Sequence, residues 1–184
     1  MTRTRFLPRA GRAIGARHGD PRQYGACCPQ GVAHLPDQRD IALFVYGSLE
    51  LAEVMRCVTG HEFRARPATL PGHRHRIIRG EVYPGMVADE HTSVRGVLYE
   101  ELTEDDLDSL DLFEGEPYQR ERVSVVCAGA AVEAFTYVLR SEYARLLTEV
   151  AWDRDLFRDR HLSEFLDRWR EFRSKLCSGL AGPA

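Results

Sequence analysis

No stretch of this chain carries the roughly 20 consecutive apolar residues that a bilayer-crossing helix needs, so no membrane association through a spanning helix is expected. Residues 1–40 lack an apolar centre of roughly 7–15 residues, which a secretory signal requires. The net charge is only -3, too small and of the wrong sign to mark a nucleic-acid partner. A cysteine framework is also missing. The five cysteines (Cys27, Cys28, Cys57, Cys127 and Cys177) are odd in number, and their spacing fits neither a zinc knuckle nor a disulfide scaffold. They read as reduced thiols, which points to a cytoplasmic setting. His61, His73, His75 and His91 match no common zinc spacing, and arginines flank two of them, so no metal is expected. No internal repeat is present.

What remains is an ordinary globular composition. The chain has 184 residues, 43 % of them apolar, enough for one domain with a sizeable core. Charge is unevenly spread. Residues 1–40 hold seven arginines against three aspartates, together with four prolines, five glycines and no serine. They show no apolar period and read as a flexible tail outside the fold. Such a tail fits a targeting segment or translation from an upstream start equally well. The domain is expected over residues 41–178, with residues 179–184 as a disordered end.

Ile41 to Tyr46 is a short apolar run rich in β-formers, the signature of a buried strand. Gly47-Ser48 breaks it, and Leu49 to Val58 follows with Leu51, Val54, Met55 and Val58 on one helical face. Ser48 is the expected N-cap, and Thr59-Gly60 the stop. Leu70-Pro71-Gly72 and Tyr83-Pro84-Gly85 read as turns. Val94 to Tyr99 is a strand. Thr103 and Asp106 spell a capping box before the next helix. Val123–Cys127 and Val132–Leu139 form strands joined by a hairpin at Ala128-Gly129-Ala130. From about Asp153 one long amphipathic helix is expected, with Leu162, Phe165, Leu166, Trp169, Phe172 and Leu176 as its stripe. Strands and helices mix without steady alternation, which predicts an α+β fold.

Two segments bear chemistry. In Tyr46-Gly47-Ser48-Leu49, a buried strand ends at a glycine and a helix starts at once. Unpaired amides and the Ser48 hydroxyl there suit a carboxylate, although many such turns are only structural. In Leu110-Asp111-Leu112-Phe113-Glu114-Gly115, Glu114 lies four residues after Leu110 and seven after Leu107, so it continues the buried stripe. Asp105, Asp108 and Asp111 fall on other faces and are expected in water. A buried acid holds its proton more tightly, which makes Glu114 a candidate general base. An internal ion pair with Arg120 or Arg122 is the structural alternative.

Taken together, FVYGSL, Tyr83-Pro84-Gly85, Arg95-Gly96-Val97-Leu98-Tyr99, LDLFEGEPYQR and EAFTYVL resemble the gamma-glutamylcyclotransferase-like superfamily. The similarity is to its gamma-glutamylamine cyclotransferase and plant avirulence-induced-gene-like branch. The resemblance implies a single α+β domain built on a small, barrel-like mixed sheet with flanking helices and a central cavity. It implies that Tyr46, Gly47, Ser48 and Leu49 bind the carboxylate end of a small γ-glutamyl substrate. It also implies that Glu114 is the catalytic acid and base, and that Tyr118 stands near the pocket. The reaction so implied is an acyl transfer within the substrate that releases 5-oxoproline, with no cofactor. A non-catalytic small-ligand or protein-binding module on the same fold is the alternative. Monomer and homodimer both stay open.

Overall fold

The computed structural model describes residues 41–180. The tail expected over residues 1–40 and the last four residues lie outside them. Five strands make the frame: β1 (Ile41–Val45), β2 (Arg64–Ile77), β3 (Pro84–Leu102), β4 (Tyr118–Cys127) and β5 (Ala130–Leu139). They close into a barrel in the order β1-β3-β2-β4-β5. The ladders are antiparallel except at one seam, where β1 runs parallel to β5 with Leu43 opposite Phe135. The sheet is therefore mixed, as an α+β domain of this kind requires.

Side-chain alternation assigns the two faces of the barrel wall. Phe44, Tyr46, Leu70, Met86, Leu98, Val125, Ala134 and Val138 come from all five strands or their ends and form one cluster. No helix contributes to it, so it is the lumen. These side chains pack against one another inside the barrel. The intervening residues, including Leu43, Val45, Tyr99, Tyr137 and Leu139, point outward and pack under the helices. Thr136, buried at the parallel seam, is satisfied by donating to the Phe44 carbonyl at 2.9 Å.

The helices are α1 (Ala52–Thr59), α2 (Glu104–Glu114), α3 (Arg154–Arg160) and α4 (Leu162–Leu180). The capping box at the start of α2 is formed. Thr103 accepts from the Asp106 amide, and the Asp106 carboxylate accepts from the Thr103 amide at 2.9 Å. Gly60 ends α1 in the left-handed region (φ 87°), a conformation that favours glycine. Ala128 and Gly129 also take positive φ and close the β4–β5 hairpin.

Four local expectations change. Pro71-Gly72 is not a chain reversal. It is a bulge within a long β2 that pairs with β3 on both sides of it, and the reversal occurs near residues 78–83. Ser48 is not the N-cap of α1. A 3-10 turn at Ser48–Glu50 intervenes, Leu51 occupies the cap position, and neither start has a side-chain cap. The terminal helix is two helices, with Asp153 capping the first through the Leu156 amide at 2.9 Å and a break at His161. Cys57 is half-buried against the outer core rather than inside it. The stripe of α4 does pack on the domain. Trp169 stands edge-on to Phe113 at 4.9 Å between ring centres, and Arg173 donates to the Cys57 and Val58 carbonyls. No described helix is long and apolar enough to cross a membrane.

Candidate active site

The site forms where β1 ends and α2 ends. Gly47 is forced by the neighbouring chain. A Cβ there would stand 2.9 Å from Pro84 Cγ, so only glycine lets the turn after β1 press against the start of β3. Pro84 in turn accepts a hydrogen bond from the Tyr118 hydroxyl at 2.8 Å through its carbonyl. Tyr46 donates to the Tyr137 carbonyl at 2.8 Å. The three segments singled out in the sequence thus interlock: the turn after β1, the Tyr83-Pro84-Gly85 corner and the start of β4.

The 3-10 turn leaves donors open. Ser48 is 8 % exposed. Its hydroxyl and the amides of Ser48 and Leu49 have no hydrogen-bond partner among the described residues. The end of an α-helix does not contribute here, because α1 starts four residues later. Any anion would meet the turn's own amides.

Glu114 is the last residue of α2 and is followed by Gly115, whose φ of 68° ends the helix. Burial, and next the charge of Asp111, push its carboxyl up from 4.5 to about 8. The negative end of α2 acts in the same direction, and no basic residue stands in the last turn to oppose it. Glu114 makes no hydrogen bond or ion pair among the described residues. The internal-pair alternative fails for a visible reason. Arg120 turns to Asp111 at 3.5 Å, and Arg122 lies over the Phe135 ring at 5.1 Å. Glu114 raises the phenol pKa values of Tyr46, Tyr83, Tyr118 and Tyr137, after the larger effect of their burial. One half-buried carboxyl, without a hydrogen bond or ion pair among the described residues, therefore acts by its charge on four tyrosines, the first residue of Tyr46-Gly47-Ser48-Leu49 among them.

Three residues near the acid escape a reading from sequence. Asp111 is exposed as expected, at 44 % of its side chain, but it also accepts a hydrogen bond from the Tyr137 hydroxyl at 2.6 Å and pairs with Arg120, which the spacing did not show. Tyr137 belongs to an ordinary strand alternation, and nothing local marks its partner. Tyr83 was legible only as part of a turn. The scattered histidines do not converge, and among the described residues no group of three His, Cys, Asp or Glu side chains is placed to hold a metal.

The model of the family described as gamma-glutamyl cyclotransferase, AIG2-like, matches residues 43–154. AIG2-like protein D of Arabidopsis thaliana is 32 % identical over 138 residues, 73 % of this chain and 90 % of the relative. A protein from Arabidopsis thaliana solved in solution superposes with a TM-score of 0.58 at 25 % identity, covering 76 % of this chain and 86 % of the other. A solved gamma-glutamyl cyclotransferase superposes with a TM-score of 0.50 at 19 % identity, over 55 % and 68 % of the two chains, and shows a shared fold.

Proposed function

The chain belongs to the gamma-glutamyl cyclotransferase, AIG2-like family, and from that premise we propose that it cyclises γ-glutamyl amines or amino acids to 5-oxoproline, with Glu114 carrying the proton. The observation that carries this reading is the state of Glu114: half-buried, without a hydrogen bond or ion pair among the described residues, and with its carboxyl pushed up to about 8 by burial and then by the charge of Asp111. An acid on a structural helix gains nothing from that condition, since an unpaired buried charge only costs stability.

The chemistry follows from the substrate. A γ-glutamyl compound carries its nucleophile, the α-amine, and its electrophile, the γ-carbonyl, in one molecule. Holding the folded conformer supplies much of the rate. The α-amine arrives as an ammonium and cannot attack. A carboxyl pushed up to about 8 is, once ionised, a strong enough base to take that proton with little mismatch, and the ionised fraction grows as the pH approaches 8. The amine nitrogen then bonds to the γ-carbon, and the bond from that carbon to the leaving nitrogen breaks. Glu114 returns its proton to that nitrogen, which departs as the free amine, and then takes up the second proton that the new ring nitrogen must shed and releases it to water. The Ser48 hydroxyl and the open amides of Ser48 and Leu49 suit the substrate's α-carboxylate. Their fixed dipoles need no reorganisation to hold an anion. Tyr46 and Tyr118 have committed hydroxyls, so they serve as rigid walls.

The test is 5-oxoproline release from a panel of γ-glutamyl amines and γ-glutamyl dipeptides by the protein and its Glu114→Gln variant. Turnover by the wild type and a loss of about a hundredfold or more in the variant is the scale of a general base. A folded wild type inert toward the whole panel refutes the reading and favours a binding module.

A further inference from the structure

We propose that Asp111 is a positioning residue for the Glu114 carboxylate: Tyr137 and Arg120 hold its charge three residues before that acid, within the last turn of α2. The proposal rests on the cyclotransferase reading and adds a second acid to it. Residues three apart on a helix are neighbours on its surface. Asp111 reaches water, with 44 % of its side chain exposed, and is free on that side to swing away from a second carboxylate. Here its oxygens are held from two strands. The Tyr137 hydroxyl, on β5, donates to Oδ1 at 2.6 Å, and Arg120 Nη2, on β4, stands 3.5 Å from Oδ2. The arginine is itself held. Its guanidinium lies 5.3 Å above the Phe135 ring, and its Nη1 is buried with no hydrogen-bond partner. A cation that keeps one orphan N–H while facing Asp111 is fixed by packing rather than by its own hydrogen-bonding demand.

The charged and titratable groups facing this pair are few. From α2 itself comes Asp108, on which Asp111, Asp105 and Glu104 act in turn, and from the segment before β3 comes Glu81, felt at Tyr83 and Tyr118. Tyr46 follows β1, Tyr83 precedes β3, Tyr118 and Arg120 come from β4, and Tyr137 from β5. From α4 comes Arg168, felt at Tyr83, while the side chains that α4 packs on Phe113 are Phe165 and Trp169. Among them Asp111 is the group whose charge joins burial in raising the Glu114 carboxyl. Its function is to keep that acid a strong enough base to take a proton from an ammonium, and the Tyr137 bond keeps the charge from rotating away.

The experiment is a 13C NMR titration of glutamate-labelled full-length protein, with the Glu114 signal identified by its loss in Glu114→Gln. Asp111→Asn keeps the shape and still accepts from Tyr137, but it removes the charge. The Glu114 midpoint should fall by on the order of one pH unit, the usual scale for a nearby like charge. The acid limb of kcat/KM should fall with it. Tyr137→Phe keeps the charge and should move the midpoint less. Arg120→Gln strips the counter-charge and should move it up, which keeps the question open to test if Asp111→Asn does not fold. A midpoint unmoved in Asp111→Asn, or moved equally in Tyr137→Phe, overturns the role. Lack of turnover with an intact midpoint shift removes the cyclotransferase reading instead.

Discussion

Replacing Glu114 by glutamine should change how stability depends on pH, whatever the substrate. In the unfolded chain this carboxyl titrates near 4.5, and in the folded protein near 8. The native state thus binds the proton more tightly. The stability this contributes is full below about pH 4.5 and is lost as pH rises through about 8. At about 1.4 kcal/mol for each pH unit of difference, ionising Glu114 costs the fold about 3 kcal/mol at pH 7 and about 5 kcal/mol at pH 9. Both figures are upper bounds, because water reaching the carboxyl relieves part of the charge. Glutamine has nearly the same shape and no charge at any pH, so its unfolding free energy lacks this limb. Urea unfolding of both proteins from pH 4.5 to 9 isolates the effect, since every other titrating group is shared and cancels in the difference. With an m value of about 1–3 kcal/mol/M, 3 kcal/mol displaces the midpoint by about 1 M or more. The variant should be no more stable than the wild type at pH 4.5 and clearly more stable at pH 9. Curves that stay parallel across the range would show that Glu114 is not desolvated, and the argument for its basicity would fall with them.

Two further outcomes are expected. Gly96→Ala places a Cβ 2.1 Å from the Val45 carbonyl oxygen. Backbone cannot yield as a side chain does, so a loss of more than about 3 kcal/mol is expected in thermal or urea unfolding; a loss under about 1 kcal/mol would mean that β1 and β3 are not so closely apposed. Ser48→Ala removes a hydroxyl that has no partner among the described residues. Unfolding should change by less than about 0.5 kcal/mol, while KM for the γ-glutamyl substrate should rise by about five- to tenfold, the worth of one hydrogen bond. A changed stability with an unchanged KM would make Ser48 structural.

The sequence by itself determined the local pieces. The apolar run of β1, the capping box at Thr103, the glycine stops at Gly60 and Gly115 and the β4–β5 hairpin all depend on neighbours within a few residues. The inward phase of Glu114 is likewise a matter of spacing from Leu107 and Leu110, both fully buried. The motifs around these residues carried the family and so the expectation of a small, barrel-like mixed sheet, while the strand order came from the structure. Tertiary structure decided whatever depends on partners distant in the chain. Gly72 reads as a turn until a strand of 19 residues is there to pair across it. Asp111 reads as a solvated acid until β5 brings Tyr137 to it, 26 residues on. Arg120 reads from the sequence as a candidate partner for Glu114, and the barrel wall aims it at Asp111 instead. That choice leaves Glu114 unpaired. Helix periodicity can direct a carboxyl inward, but it cannot say whether a cation waits there, because the cation is delivered by strands whose register is set by closure of the barrel.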